Sequence, residues 1–239
     1  MSKSITIWNK MAKSFHNTSL RSAAHRQKYE RIADEILKIN PEAILDLGCG
    51  SGLLESELCR RGYCGIARCY DASPKMLEIA RNTIRAENCF FCESLIGKDF
   101  NPGQKFDVIV AINLFFYLDE KQEFLNIVAS CLKNVESLFI MVIPKPGDET
   151  SNWEFVKAHF NMKSGKSKAA IILEELRNIP AYIELAARQK ELDKLEKAGE
   201  IVFDRPEMVA EMAGKAGLKL IETSDIHAGQ NWMLVMKSA

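Results

Sequence analysis

The chain has no charge bias: Lys and Arg together number 32, as do Asp and Glu, so the formal net charge is zero. No overall field then draws it to nucleic acid or to an anionic membrane. It contains no apolar run near the ~20 residues that a membrane-spanning helix needs. Met1 to Lys10 are too broken by polar side chains to read as a secretory leader. The seven cysteines are an odd number scattered over predicted strands and helices. They form no disulfide framework, and free thiols in a reducing cytoplasm are the expectation. Histidine is scarce: His16, His25, His159 and His227 are far apart in sequence. Cys89 and Cys92 make a lone C-x-x-C with no second pair and no histidine nearby, so no metal is expected. Repeats and low-complexity tracts are also missing.

The 239 residues, 47% of them hydrophobic, can bury one sizeable core, and a single domain over 1–239 is expected. Its most informative stretch is Ala43-Ile44-Leu45-Asp46-Leu47-Gly48-Cys49-Gly50-Ser51-Gly52. An apolar run, alternating glycines and the helical spacing of Leu53 to Leu58 predict a buried parallel strand, a tight turn and a helix. Glycine serves where the backbone turns sharply or a ligand must come close. The first N–H groups of the helix are then free to meet ligand oxygens. The spacing is G-x-G-x-G, not the six-residue dinucleotide fingerprint. Asp46, ahead of the first glycine, would repel a pyrophosphate but suits a ligand bearing positive charge.

The periodicity of the rest alternates strands and helices. Trp8, Met11 and Phe15 share a helix face, and a second helix is predicted from Ser22 to Ile39, ended by Pro41. Lys3, Lys10, Lys13, Arg21, Arg26, Lys28 and Arg31 read as solvated charges of two helices packed on the sheet edge, or the segment 1–40 as a lid over the turn. A second strand, Cys64 to Tyr70, leads to Asp71 and to Ser73-Pro74, an N-cap followed by a first-turn proline. A carboxylate at that strand end can accept both hydroxyls of a ribose. Further strands are read at Cys89–Cys92, Phe106–Asn113, Ser137–Ile143, Leu218–Thr223 and Trp232–Met236. A helix is read at Asp119–Lys133, and a last helix is opened by a capping box, Asp204 to Glu207. Residues 149–203 carry helical patterns with no place in a minimal sheet of this kind. They are expected to insert at the carboxyl edge, as a substrate cap or as the surface of a homodimer, with Trp153, Phe155, Phe160, Ile179, Tyr182 and Ile183 as its apolar positions.

Asp46, Gly48, Gly50 and Gly52 resemble motif I, D-x-G-x-G-x-G, of the class I S-adenosylmethionine-dependent methyltransferases. The strand that starts Phe106-Asp107 resembles the fourth strand of the same family. The resemblance covers residues 41–144 by motif and 204–237 by element order. It implies a doubly wound α/β fold, Rossmann-like, with seven mostly parallel strands and the last one antiparallel. It further implies a transferase that uses S-adenosyl-L-methionine and releases S-adenosyl-L-homocysteine (SAH). Site residues carried over are Asp46, Gly48, Cys49, Gly50, Gly52, Asp71, Ala72, Met76, Glu93, Ser94 and Asn113, with Glu93 where Asp is more usual. A small-molecule acceptor is expected, because no N-P-P-Y signature follows the fourth strand and no basic run appears. Where a base is needed, His16, Tyr117 and His159 are the candidates. Three other readings stay open: a methyltransferase acting on protein or RNA, a nicotinamide-dependent oxidoreductase, and a cofactor-binding protein without catalysis.

Overall fold

The computed structural model describes residues 3–146 and 194–239, with the single positions 176, 183, 190 and 191. Two N-terminal helices, α1 (Lys3–Arg21) and α2 (Ala23–Leu37), precede the sheet. Then come β1 (Ala43–Leu47), α3 (Leu53–Arg60), β2 (Ile66–Asp71), α4 (Pro74–Thr83), β3 (Cys89–Glu93), β4 (Val108–Ile112), a 3-10 turn at Phe115–Tyr117, α5 (Lys121–Cys131) and β5 (Leu138–Pro144). The last elements are α6 (Pro206–Lys215), β6 (Leu218–Ile226) and β7 (Asn231–Ser238). The strand order is β3-β2-β1-β4-β5-β7-β6. β1 pairs in parallel with β2 and β4, while β7 runs antiparallel between β5 and β6. This is the doubly wound seven-stranded sheet that the resemblance implied.

Period-2 alternation along the strands divides the core into two layers. Leu45, Leu47, Ile109 and Ala111 face α5 and α6, packing with Phe106, Phe115, Phe124 and Val209. Ile44, Val108, Val110 and Val142 face the other way, against Ile32 and Ile36 of α2 and Leu54 and Leu58 of α3. Near-continuous apolar strands are what a parallel sheet covered on both faces requires. By the same alternation Asp46 falls on the face of Ile44, beneath α3. The strand order reverses between β1 and β4, and ligands of such sheets bind in the crevice at the carboxyl ends there.

Two local expectations change, at the last helix and at Lys28. The last helix has Arg205 as N-cap, with no side-chain cap bond. Asp204 is instead buried and paired with Lys121, which also donates to the Val202 carbonyl. An ion pair with α5 outcompetes a cap that water can replace. Lys28, expected to be solvated, is 1% exposed. The turn before β5 is closed by side chains: Asn134 Oδ1 accepts from the Glu136 N–H at 2.9 Å, and Ser137 Oγ accepts from the Asn134 N–H at 3.1 Å.

Most of the expected insertion, 149–203, and with it His159, Trp153, Phe155, Phe160, Ile179 and Tyr182, lies outside the described residues. Ile183 is 66% exposed. The end of the segment packs: Leu195 and Ile201 are buried against Phe116, beside Ile7 and Phe203. Gly199, φ +70°, closes the helical turn, as expected of a C-cap glycine. Among the described residues no helix is long and apolar enough to cross a membrane.

Candidate active site

The turn after β1 is built by its glycines. Gly48, Gly50 and Gly52 have φ of +78°, +56° and +75°. The backbone N–H groups of Gly48 and Cys49 both donate to the Tyr70 carbonyl, at 2.7 and 3.1 Å, which fastens the turn to the end of β2. A Cβ on Gly48 would lie 3.3 Å from Leu114, just past β4, so the turn also rests on the β4 exit. At Gly50 an added Cβ meets nothing within 4 Å: the turn is open to a ligand at its middle residue.

Asp71 ends β2 and faces this turn. Its Oδ2 accepts from the Gly50 N–H at 2.8 Å, and its Oδ1 from the Ser73 N–H at 2.7 Å. Burial raises the Asp71 pKa, against the lowering effect of the N–H groups of Ser73, Gly50 and Ala72. A carboxylate has about four acceptor positions, so capacity remains for an outside donor. Ser73 caps α4 through the Met76 N–H, and Pro74 opens the helix, as expected. Glu93 is the register partner of Asp71, and the Ser94 N–H donates to the Asp71 carbonyl at 3.1 Å. The structure therefore brings Gly50, Asp71, Ala72, Glu93 and Ser94 to one edge. Met76, 2% exposed, packs in the core behind it.

Asp46 is 1% exposed and lies against Glu55 of α3, itself fully buried, a residue that the sequence reading missed. Burial first, then the Glu55 charge, hold the Asp46 pKa well above its ordinary value. Burial raises the Glu55 pKa as well, so the two carboxyls share a proton, and Glu55 Oε1 also accepts from Cys69 Sγ at 3.4 Å. One oxygen of each carboxylate, Asp46 Oδ1 and Glu55 Oε2, has no hydrogen-bond partner among the described residues. Burial first, then the Glu55, Asp46 and Asp71 charges, raise the Cys49 pKa and favour its neutral thiol.

Above the ordinary Asp pKa of about 4, the folded chain keeps a proton that the unfolded chain releases. Asp46 therefore makes stability fall as pH rises from 4 towards its raised folded pKa. Asp46→Asn retains a donor for Glu55 and carries no such proton. Unfolding free energies from urea titrations between pH 4.5 and 7.5 should decline less for the variant, by up to about 1.4 kcal/mol per pH unit. Parallel curves would remove the shared proton from the account.

Helix α1 lies across this edge. His16 Nδ1 is 3.0 Å from Ser51 Oγ, and Asn9 Oδ1 accepts from Ser73 Oγ at 2.8 Å. Trp8 meets Tyr117 edge-on, with ring centroids 6.5 Å apart. Of the base candidates, His16 is buried at the turn with its pKa lowered by burial, and Tyr117 is in the aromatic wall. Phe115 is a core residue, fully buried. Asn113, at the β4 exit with φ +53°, accepts from Asn231 Nδ2 at 2.9 Å. Asn231, His227 and His25 around it were not read as site residues from the sequence, since 202 residues separate the two histidines. Lys28 was missed as well: its ammonium sits over the Tyr29 ring at 4.8 Å, and burial pushes its pKa down to about 8. Among the described residues no cluster of three or more His, Cys, Asp or Glu has metal-binding geometry.

Residues 44–135 match a family model described as a methyltransferase domain. A malonyl-[acyl-carrier protein] O-methyltransferase of Halalkalibacterium halodurans is 34% identical over 140 residues, 54% of this chain and 51% of the relative. A ubiquinone biosynthesis O-methyltransferase of Bradyrhizobium sp. is 29% identical over 121 residues, 48% of this chain and 45% of the relative. The chain thus spans about half the length of the curated relatives it matches. The crystal structure of magnesium protoporphyrin IX methyltransferase from Synechocystis PCC 6803, with bound SAH, shares the fold at a TM-score of 0.59 and 14% identity, covering 90% of this chain and 84% of that one. By motif, by strand order and by these matches, residues 44–135 carry a methyltransferase domain similar to those of the class I S-adenosylmethionine-dependent family.

Proposed function

We propose that the chain is an enzyme that binds S-adenosyl-L-methionine across the 48–52 turn and moves its methyl group to a small-molecule acceptor. The observation that carries this is Asp71: its carboxylate is fixed by two backbone N–H groups beside the open Gly50, with acceptor capacity left for a ribose diol. Glu93 and Ser94 stand on the far side of Asp71, where a base attached to that ribose would lie. The turn itself, resting on Leu114, would take the amino-acid end and direct the sulfur towards Asn113. When bound, the cofactor supplies a methyl group on a positively charged sulfur, an electrophile that needs no further activation. The protein's work is then to align the acceptor, exclude water and dispose of a proton. Helix α1 fits the second task, since His16 and Asn9 tie it across the mouth of the turn. The names of the two relatives, both O-methyltransferases, support oxygen as the acceptor atom.

Thermal-shift measurements with S-adenosyl-L-methionine, SAH, NAD and NADP test the binding. The melting temperature should rise with the first two and stay unchanged with the dinucleotides. Stabilisation by NAD or NADP alone would overturn the assignment. SAH release in the presence of an acceptor separates an enzyme from a protein that only holds the cofactor.

A further inference from the structure

Three carboxyl groups, Asp46, Glu55 and Asp71, gather under the turn at 48–52, and Cys49 in that turn feels the charge of all three. Asp46 and Glu55 are 1% and 0% exposed. The register of the sheet sets Cys69 of β2 beside Asp46 of β1, and the Cys69 thiol donates to Glu55 Oε1 at 3.4 Å. Glu55, in the first turn of α3, is therefore laid over the Asp46–Cys69 pair, and it shares a hydrogen bond with Asp46. Among the described residues neither carboxyl has a Lys, Arg or His as an ion-pair partner. Buried charge without a partner is costly, so a folded chain pairs it or neutralises it. Two ionised carboxylates have no hydrogen to offer each other, and Asp46 Oδ1 and Glu55 Oε2 are both bare. One proton held between the two supplies the missing hydrogen and halves the buried charge.

The groups around the pair keep their own protonation at pH 7. Tyr29 faces it from α2, Cys49 from the turn and Cys69 from β2. Burial first, and then the carboxyl charges, raise all three, so they hold their hydrogens. His16 of α1, beside Ser51, has its pKa lowered by burial and is neutral. Lys28 of α2, over the Tyr29 ring, is pushed down to about 8 and stays mostly charged. Asp71 accepts from the N–H groups of Gly50 and Ser73, which suit its ionised form.

We propose that Asp46 and Glu55 distinguish the methyl donor from its spent product by charge: the pair gives up its shared proton to water when the sulfonium binds and keeps it when the uncharged thioether of SAH binds. The inference rests on the methyltransferase reading above. The amino-acid end is a zwitterion with no net charge and is common to both ligands, so the sulfonium alone separates them. A positive charge favours the ionised form of a nearby carboxyl. At an effective dielectric of about 20, a unit charge ~8 Å away weakens the hold on a proton roughly 30-fold. The exchange conserves charge: one positive charge enters the site and one leaves it, and the buried total stays at that of the pair with its proton. Once the methyl group has left, sulfur is neutral and one proton returns from water to the pair. By linkage, a ligand that expels a proton binds more tightly as pH rises, up to about tenfold per pH unit, while one that expels none does not.

Calorimetric titration of the full chain at pH 7, in phosphate and again in Tris, counts the protons exchanged, because each buffer adds its own heat of ionisation. The ligands are S-adenosyl-L-methionine, SAH and sinefungin, whose ammonium replaces the sulfonium. Roughly one proton should be released with each cationic ligand and about none with SAH. Between pH 6 and 8 the affinity for S-adenosyl-L-methionine relative to SAH should rise by up to about tenfold per pH unit. The infrared band of a protonated carboxyl should fade with sinefungin and persist with SAH. Asp46→Asn and Glu55→Gln each leave one carboxylate beside an amide that donates to it, so either variant should bind the cationic ligands with no proton released. Equal proton counts for all three ligands on wild-type protein would overturn the proposal. So would release undiminished in the variants, which would place the proton on Lys28 or Asp71. Wild-type protein that binds none of the ligands removes the methyltransferase reading, while binding without proton release removes only the role of the pair.

Discussion

Gly52→Ala should cost the fold about 2–5 kcal/mol, the largest loss expected of any single methyl group in the turn. Two terms add. Gly52 caps α3 in the left-handed conformation, φ +75°, where a side chain costs about 1–2 kcal/mol. Its Cβ would also lie 2.6 Å from Ile84 Cδ1 and 3.2 Å from Ala80 Cβ. The tip of Ile84 can swing aside, but the Ala80 methyl is fixed to α4, so α3 and α4 must part. Overpacking of this kind costs about 1–3 kcal/mol. Gly50→Ala is the control: its φ is also positive, but an added Cβ there meets nothing within 4 Å, so the conformational term alone applies. Urea midpoints of the two variants should therefore differ by the packing term. Equal losses would show that α3 and α4 do not close over the turn as described.

Asp71→Ala should weaken SAH binding about 5- to 150-fold, or about 1–3 kcal/mol, the worth of hydrogen bonds to a charged group. The same change strips the Gly50 and Ser73 N–H groups of their acceptor, so the turn loosens as well. Asp71→Asn divides these effects. It keeps one acceptor oxygen but aims an NH₂ at one of the two N–H groups. Its affinity should fall between wild type and Asp71→Ala while its thermal unfolding stays cooperative. Unchanged affinity in Asp71→Ala, with the chain folded, would show that the carboxylate grips no ribose.

The parts of the site were not equally easy to read in the sequence. The glycine turn, Asp71 and the Ser73-Pro74 cap are local: strand end, positive φ and N-cap geometry follow from neighbours in the chain. The antiparallel β7 was implied by the family resemblance. The misread positions all depend on distant partners. Asp204 has capping-box spacing with Glu207, yet Lys121, 83 residues away, claims it. Glu55 looks like an exposed carboxylate in the first turn of a helix until α3 is laid over β1 and faces Asp46. Lys28 carries the charge of a surface residue, but it stands on the face of α2 that packs on the sheet. His25 and His227 mean nothing singly in sequence. Only the docking of the β6–β7 turn against the start of α2 makes them a pair.

The account stands on nucleoside binding between the glycine turn and Asp71, and calorimetric titration of the full chain with SAH addresses it directly. One saturable site per chain, weakened in Asp71→Ala, is the predicted result. No heat from folded wild-type protein, with either SAH or S-adenosyl-L-methionine, would contradict it.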